Sequence, residues 1–501
     1  MIHITLMSRL EKRKTLNERL TKEAQARRRQ ERRYTAEEVA ADRQAMYRSL
    51  QSLSSVLDSS GEYRIIAFIS TAEELLLKGS FSSSSSSSKY NHHHQTGVGG
   101  GADDHLEDGI GSQYQQQRPN DVALVTHGTV LQLHHLPLLA SRWHGLLSVS
   151  VFVVSIQQLP LAVEAILLLR HCSPAIRHRA SFHLVYPLNL SAKLSNRQAR
   201  TVLDFLRWPD ILEAYPGLDQ LVTADGRHCG TAASTAGAAM QSALEPWSTA
   251  ENPAGATITS TSTLNYAHKV PYPNNLLRNI GRRYARTEYS FVVDIDLLPS
   301  ASLYEHFLEF GRRTHLFREW DAALLPEGPA DASQRQQRSK VVFVVPTYEI
   351  DLSGQWTEKS RQSPSSSSNN NNRSSHQMMS GQFEAEHLPP HFPQNKAELI
   401  VGIEQRLIRP FYIELCWKCQ KWTDYEAWLH ASSLINTSEH RVDILFEVFW
   451  HDPWEPFYIS ANSVPMYDER FRQYGFNRIS QVRREDLLKV HFVNTSDPIL
   501  S

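Results

Sequence analysis

Near the middle of the chain an apolar run ends in two carboxylates: Phe291-Val-Val-Asp294-Ile-Asp296-Leu-Leu-Pro-Ser300. Tyr289 to Val293 is mostly β-branched or aromatic and reads as a buried strand. Buried charge is costly, so a strand of this kind ends in carboxylates only where something compensates them. On an extended chain Asp294 and Asp296, two residues apart, share one face. Two hard oxygen ligands there, with Pro299 ending the strand, suit a Mg2+ or Mn2+ ion that keeps open positions for phosphate oxygens. An ion so placed would neutralise a leaving diphosphate. The plainer alternative is that one Asp caps a helix from Ser300 onward and the other is solvated.

The neighbouring segments favour the first reading. Val270-Pro-Tyr-Pro-Asn-Asn-Leu-Leu-Arg-Asn279 predicts a helix that starts with Asn274 or Asn275 as N-cap and runs through Arg286. Arg278 on that helix would reach a diphosphate by bidentate pairing. Asp121 to Thr126, Leu147 to Ile156 and Ser181 to Tyr186 read as strands preceding the Asp294 strand, with Val341 to Val345 following it. Helical stretches between them predict an α/β fold with a mostly parallel central sheet and right-handed crossovers. Ligands of such sheets collect beyond the carboxyl ends of the strands, where Thr126, His127, Asp294 and Asp296 would face one crevice.

The longest apolar stretch, Leu146 to Leu169, is interrupted by Gln157, Gln158, Pro160 and Glu164. A buried strand, a turn and a helix from Pro160 to Arg170 fit it better than a membrane span. Ser80 to Ser88, His92 to His94, Cys229 to Thr263 and Ser363 to Ser375 are too polar or too simple to bury a core and read as disordered inserts. The expected organisation is a basic helical and low-complexity stem over 1–118, one large domain over 119–482, and a divergent tail over 483–501. Net charge is −1, which gives no overall attraction to nucleic acid. The exception is Ser8 to Arg33, with eleven Lys or Arg against four Glu, read as a solvated helix. Asn189, Asn372, Asn436 and Asn494 stand in glycosylation tripeptides. Of the four cysteines, Cys416 and Cys419 form a CxxC that suits half a zinc site, a redox pair or two disulfide halves. Without a second CxxC, zinc is not expected, and in an oxidising compartment some of the four would be disulfide-bonded.

The segments YPNNLLRN, VVDIDLLPS, VVPTYEI, WHDPWEPFYI and DERFRQYGFNRISQ, together with Asp121 to His127 and Cys416 to Cys419, resemble the beta-1,4-glucuronyltransferase family. That family is related to the second catalytic domain of the LARGE-type glycosyltransferases, and the resemblance spans roughly residues 120 to 482. It implies a GT-A nucleotide-sugar transferase fold. It also implies metal-dependent, inverting transfer of glucuronic acid from UDP-glucuronate to a terminal xylose in a β1,4 linkage. The implied acceptor is an O-mannosyl glycan of dystroglycan, primed there for matriglycan. The implied setting is the Golgi membrane, with a signal anchor that this chain does not display and with other Golgi glycosyltransferases as partners.

On this reading Asp294 and Asp296 hold the Mn2+ or Mg2+ ion. The donor is bound by Thr126, His127, Asn274, Asn275, Arg278 and Asp294. An inverting step needs a general base at the acceptor hydroxyl, for which Asp452, Glu455, Asp468 and Glu469 are the candidates. Trp454, Phe457 and Tyr458 would stack on the acceptor sugar. The family pattern continues after Gln481 to a His-Lys-Gly segment whose histidine is the third metal ligand. Here Val482-Arg-Arg-Glu-Asp follows instead, and His491 is the only histidine left. The departure implies an incompletely folded, weakly active chain. The alternatives are an impaired partner of Golgi glycosylation enzymes, or a transferase of the same fold using UDP-xylose or UDP-N-acetylglucosamine.

Overall fold

The strands in the computed structural model begin with β1 (Val56–Leu57), β2 (Tyr63–Ser70), β3 (Val122–Thr129), β4 (Leu147–Phe152), β5 (Ala180–Pro187), β6 (Tyr289–Val292) and β7 (Leu298–Pro299). They continue with β8 (Val341–Val344), β9 (Thr347–Ile350), β10 (Ile408–Pro410), β11 (Ile444–Val448), β12 (Tyr458–Ala461), β13 (His491–Thr495) and β14 (Ile499–Leu500). The structure describes residues 35–51, 55–75, 120–154, 158–188, 271–317, 341–350, 392–393, 396–434, 444–473, 475, 477–482, 491–495 and 499–500, with isolated positions between 218 and 244.

Ten strands form one sheet in the order β1-β2-β5-β4-β3-β6-β12-β8-β13-β11. Only β2, β12 and β11 run against the others, so the sheet is mostly parallel. The parallel centre, β5-β4-β3-β6, is buried almost throughout. Strands covered on both faces need apolar side chains at nearly every position, which is how these segments read in the sequence. A second sheet of four strands, β10-β9-β14-β7, flanks the first.

Among the helices of the described residues, six matter to the site and its support: α1 (Ala36–Gln51), α2 (Leu159–Cys172), α3 (Asn274–Tyr284), α4 (Leu303–Arg313), α5 (Trp417–Gln420) and α6 (Ile479–Val482). Helix α2 is buried from Leu159 to Arg170, including Glu164. That carboxylate receives Arg43 of α1 in a two-pronged contact of 2.8 and 2.7 Å, and Arg170 reaches Asp42 at 3.0 Å. No helix of the described residues is long and apolar enough to cross a membrane.

Several sequence expectations shift in detail. The strand from Leu147 stops at Phe152, and just beyond it the Val154 N–H donates to Gln158 Oε1. Helix α3 is capped by Pro273, not by an asparagine side chain, and ends at Tyr284. Strand β6 ends at Val292, and Leu297 N–H donates to Asp294 O, so Asp294 and Asp296 lie on a turn beyond the strand, not along it. Pro299 belongs to β7, and the helix expected from Ser300 begins at Leu303. Part of the expected N-terminal stem joins the fold, with β2 pairing antiparallel to β5. The expected tail contributes β13 and β14 to the two sheets. All four cysteines are paired, Cys172 with Cys229 and Cys416 with Cys419, which leaves no thiolate for zinc. The Ser8–Arg33 run and the Ser80–Ser88, His92–His94 and Ser363–Ser375 tracts lie outside the described residues.

Helix α3 seats on the sheet through Gly281, whose carbonyl accepts from Ser148 Oγ at 2.8 Å. A Cβ at this position would stand 2.4 Å from Val125 Cγ1 of β3. Gly281→Ala is therefore expected to lift α3 from the strands and cost about 1–3 kcal/mol of stability, read as a lower urea midpoint at unchanged slope.

Candidate active site

Strand ends β3 and β6, helix α3 and the segment before α6 converge on one cavity of about 650 Å3. It is lined at one end by His127, Tyr272, Asn274, Arg278, Asp294, Asp296, Asn477 and Arg478. Glu455, Phe457 and the Cys416–Cys419 turn line it as well. Its size suits a ligand as large as a sugar nucleotide.

Asp294 is the charge centre. Its Oδ1 accepts from Arg478 at 2.8 Å and from Arg278 at 3.2 Å. Burial pushes this carboxyl up, but Arg478 and Arg278 hold it well below the usual carboxylate range. Asp296 goes the other way. Its crowded position in the cavity wall, followed by the negative Asp294, pushes it up to about 6. The side chain nevertheless remains open to solvent on the cavity side. Two carboxylates of one turn thus sit on opposite sides of their ordinary range, an arrangement typical of sites where one stays ionised and the other exchanges a proton.

His127 follows from β3. Its Nδ1 meets Tyr272 Oη at 2.8 Å, while the buried Nε2 has no hydrogen bond and lies 3.7 Å from Asp294 Oδ1. Burial, reinforced by Arg278, lowers its pKa to about 3, so the ring is neutral. Of the four carboxylates expected as bases, only Glu455 lines the cavity. Burial raises its pKa, against the pull of Arg478 and Arg278. Asp452 is exposed. Asp468 is tied to Arg470 by a 2.5 Å contact, and Glu469 accepts from Asn279 at 2.8 Å and Ser59 at 3.2 Å.

Other expected residues are structural. Asn275 is fully buried behind the cavity, its amide donating to Asp468 O and Asn477 O at 2.8 Å each. Thr126 is buried and does not line the cavity. Trp454 and Tyr458 lie in an apolar cluster with Val342 and Val344, so of the three rings expected at the acceptor only Phe457 faces the cavity. Trp454 Nε1 is satisfied by Thr423, and Tyr458 Oη by Gln481. Buried Trp and Tyr need such partners, and these explain their place in the core.

His491 does not stand where it could supply the third metal ligand of the family pattern. His491 pairs with Val341 at the start of β8, and β8 reaches β6 through β12, with Val342, Ser460 and Ser290 in line. His491 is therefore level with Tyr289, at the end of β6 away from Asp294. That is roughly 16 Å along the strands and roughly 14 Å across them. Among the described residues no group of three or more His, Cys, Asp or Glu forms a metal cluster. Asn189 and Asn436 lie outside the described residues, and Asn494 stands within β13 rather than in a loop.

Sequence reasoning missed Arg478, Tyr272 and Asn477. Each stands in a segment already singled out, but Arg478 shares its stretch with Arg470 and Arg472 and reads there as one more solvated cation. Only its burial, with 7% of the residue exposed, sets it apart.

The titrations have opposite signs. His127 and His183 (about 3) and His135 (about 4), each lowered chiefly by burial, bind fewer protons folded than unfolded, so stability grows as pH rises toward 6.5. Asp296, raised to about 6, binds more protons folded and subtracts from that gain between the ordinary carboxylate range and pH 6. Asp296→Asn is expected to steepen the rise of unfolding free energy between pH 4 and 6, measured by urea unfolding of the unliganded protein at a series of pH values.

Comparison with known proteins fits this geometry. A family profile described as "Glycosyl-transferase for dystroglycan" matches residues 121–493, beyond the point where the sequence was expected to diverge. Beta-1,4-glucuronyltransferase 1 of Homo sapiens is 32% identical over 366 residues, covering 72% of this chain and 63% of that protein. The Danio rerio protein of the same name is 29% identical over 73% of this chain and 62% of its own length. Xylosyl- and glucuronyltransferase LARGE1 of Homo sapiens is 24% identical over 44% of this chain and 21% of its own length. The chain thus spans under two thirds of the glucuronyltransferases it matches. With the profile covering most of the chain and the cavity built from its segments, the protein belongs to the family of glycosyltransferases for dystroglycan.

Proposed function

We propose that the protein is an inverting glucuronyltransferase. It takes UDP-glucuronate as donor and a terminal xylose as acceptor, and forms a β1,4 bond on an O-mannosyl glycan of dystroglycan. The observation that carries this reading is the meeting of Arg278, Arg478 and the Asp294–Asp296 turn with Glu455 in one cavity. The kinship with proteins named beta-1,4-glucuronyltransferase 1 supports the choice of donor and linkage.

An α-linked donor giving a β-linked product requires a single displacement at the anomeric carbon. Glu455, whose proton affinity is raised by burial, is suited to take the proton of the attacking hydroxyl. Arg278 and Arg478 present planar donor forks of the kind that pair with diphosphate oxygens or a uronate carboxylate. His127 stays neutral and adds no competing charge. Arg278 and Arg478 are themselves buried, so their charges act more strongly than on an open surface.

The donor set fits a Mn2+ or Mg2+ ion that takes most of its ligands from substrate. Asp296 opens onto the cavity, and both arginine contacts of Asp294 fall on Oδ1 rather than Oδ2. One or two carboxylates plus substrate phosphates is a usual way to hold such an ion. When bound, it would supply charge neutralisation for the departing UDP. The two disulfides support an oxidising compartment, for which we take the Golgi lumen. Partner glycosyltransferases of that compartment remain part of the same proposal.

The test is transfer from UDP-glucuronate to an aryl β-xyloside with Mn2+. Product is expected from the unmodified protein and none after Asp296→Ala or addition of a chelator. Glu455→Gln is expected to lower kcat about 10²–10⁴-fold while leaving UDP affinity within about twofold, as measured by calorimetry. Product formed from UDP-xylose or UDP-N-acetylglucosamine instead would assign the fold to another donor.

A further inference from the structure

One wall of the cavity is a ladder of rings that the donor end does not use. Arg478, bound to Asp294, lies over the Phe457 ring at 4.0 Å. Phe457 meets Phe411 edge to face at 5.6 Å, and Phe411 stacks on Tyr412 at 5.5 Å. The ladder of rings ends at Tyr412, and Leu415, three residues on and 76% exposed, lines the same cavity. Alone an exposed leucine would mean little, but Phe411, Tyr412, Leu415 and Phe457 line the same cavity, and contiguous apolar surface in a cleft is a common mark of a ligand contact.

The segment is held firmly in this position. Tyr412 has φ of +59°, a left-handed conformation that costs a tyrosine energy and clusters at functional sites. Phe411 N–H is anchored on Thr347 O at 2.9 Å, and Cys416 N–H on Tyr412 O at 2.9 Å. The Cys416–Cys419 disulfide then closes the turn. Cys419 O accepts the backbone N–H of Glu455 at 3.0 Å, so the turn that follows the ladder also holds the carboxylate proposed as base.

We infer that Tyr412 and Leu415 form the platform for the terminal sugar of the acceptor. This rests on the transferase reading. The platform presents apolar and aromatic surface to the C–H face of a pyranose, while Glu455, fixed to the same turn, meets its hydroxyl. It replaces the buried Trp454 and Tyr458 as the acceptor contact. A pyranoside without a carboxylate is the matching ligand, because the arginines stand at the opposite end of the ladder.

Leu415→Ser and Tyr412→Ala are each expected to raise the KM for an aryl β-xyloside about tenfold, with the UDP affinity unchanged by calorimetry. Tyr412→Phe is expected to restore the acceptor KM. Unchanged acceptor KM in both variants overturns the platform. If the unmodified protein transfers nothing, saturation-transfer NMR of the xyloside decides separately. Contact signals lost in Leu415→Ser support the platform, whereas signals retained in the variant, or absent from the unmodified protein, overturn it.

Discussion

The inner polar face of α3 clasps the segment from Val464 to Gln481, and the cavity exists because of that clasp. Asn275 donates to the carbonyls of Asp468 and Asn477. Asn279 exchanges bonds with both backbone groups of Tyr467, at 2.9 and 2.8 Å. Arg282 closes on the carbonyls of Val464 and Pro465. These donors are buried, so each lost partner would leave an unsatisfied group at a cost of about 1–3 kcal/mol. With Gly281 pressed on β3 and β4, the helix fixes the segment against the sheet. Arg478 reaches Asp294 only because this segment is fixed.

The charge pattern follows from that placement. Asp294 receives one arginine from α3 and one from the clasped segment, so a single carboxylate draws together two stretches far apart in the chain. Asp296, two residues on, has the negative Asp294 as neighbour and a raised affinity for its proton. The turn after β6 creates this asymmetry. On a continuous strand both carboxylates would face the same surroundings, and the arginines would depress both.

The sequence declares the parts governed by local rules. Continuous apolar runs announce β3, β4, β5 and β6 because a strand covered on both faces has no polar positions to offer. The carboxylates after β6 are conspicuous because they break such a run. Residues whose roles depend on distant partners are illegible. Asn275 and Arg278 lie three apart on one helix and look alike as polar residues of a basic stretch. Both meet Asn477, and the difference is that Arg278 also reaches Asp294 across the cavity end of the helix. Trp454 and Phe457 share a short stretch, yet one is sealed against Val342 and Val344 while the other faces the cavity. No spacing rule separates them, since β12 begins only at Tyr458 and the residues before it follow no fixed period.

The N-terminal region makes the same point through charge. Glu164 looked like an interruption that argued against a membrane span, and the buried helix α2 bears that out. A carboxylate with no exposed side-chain surface requires a cation, and Arg43 of α1 supplies it over 121 positions of sequence. Removing one partner of a buried pair typically costs about 3–5 kcal/mol. Arg43 is itself 28% exposed, so the lower end of that range applies. Helix α1 also docks through its own apolar side chains, with Val39, Met46 and Leu50 buried in the core. Read from α2 outward, residues 36–51 are part of the fold. Read from the N-terminus inward, they look like a solvated stem, because the carboxylate that binds them lies beyond a long stretch of serine and glycine.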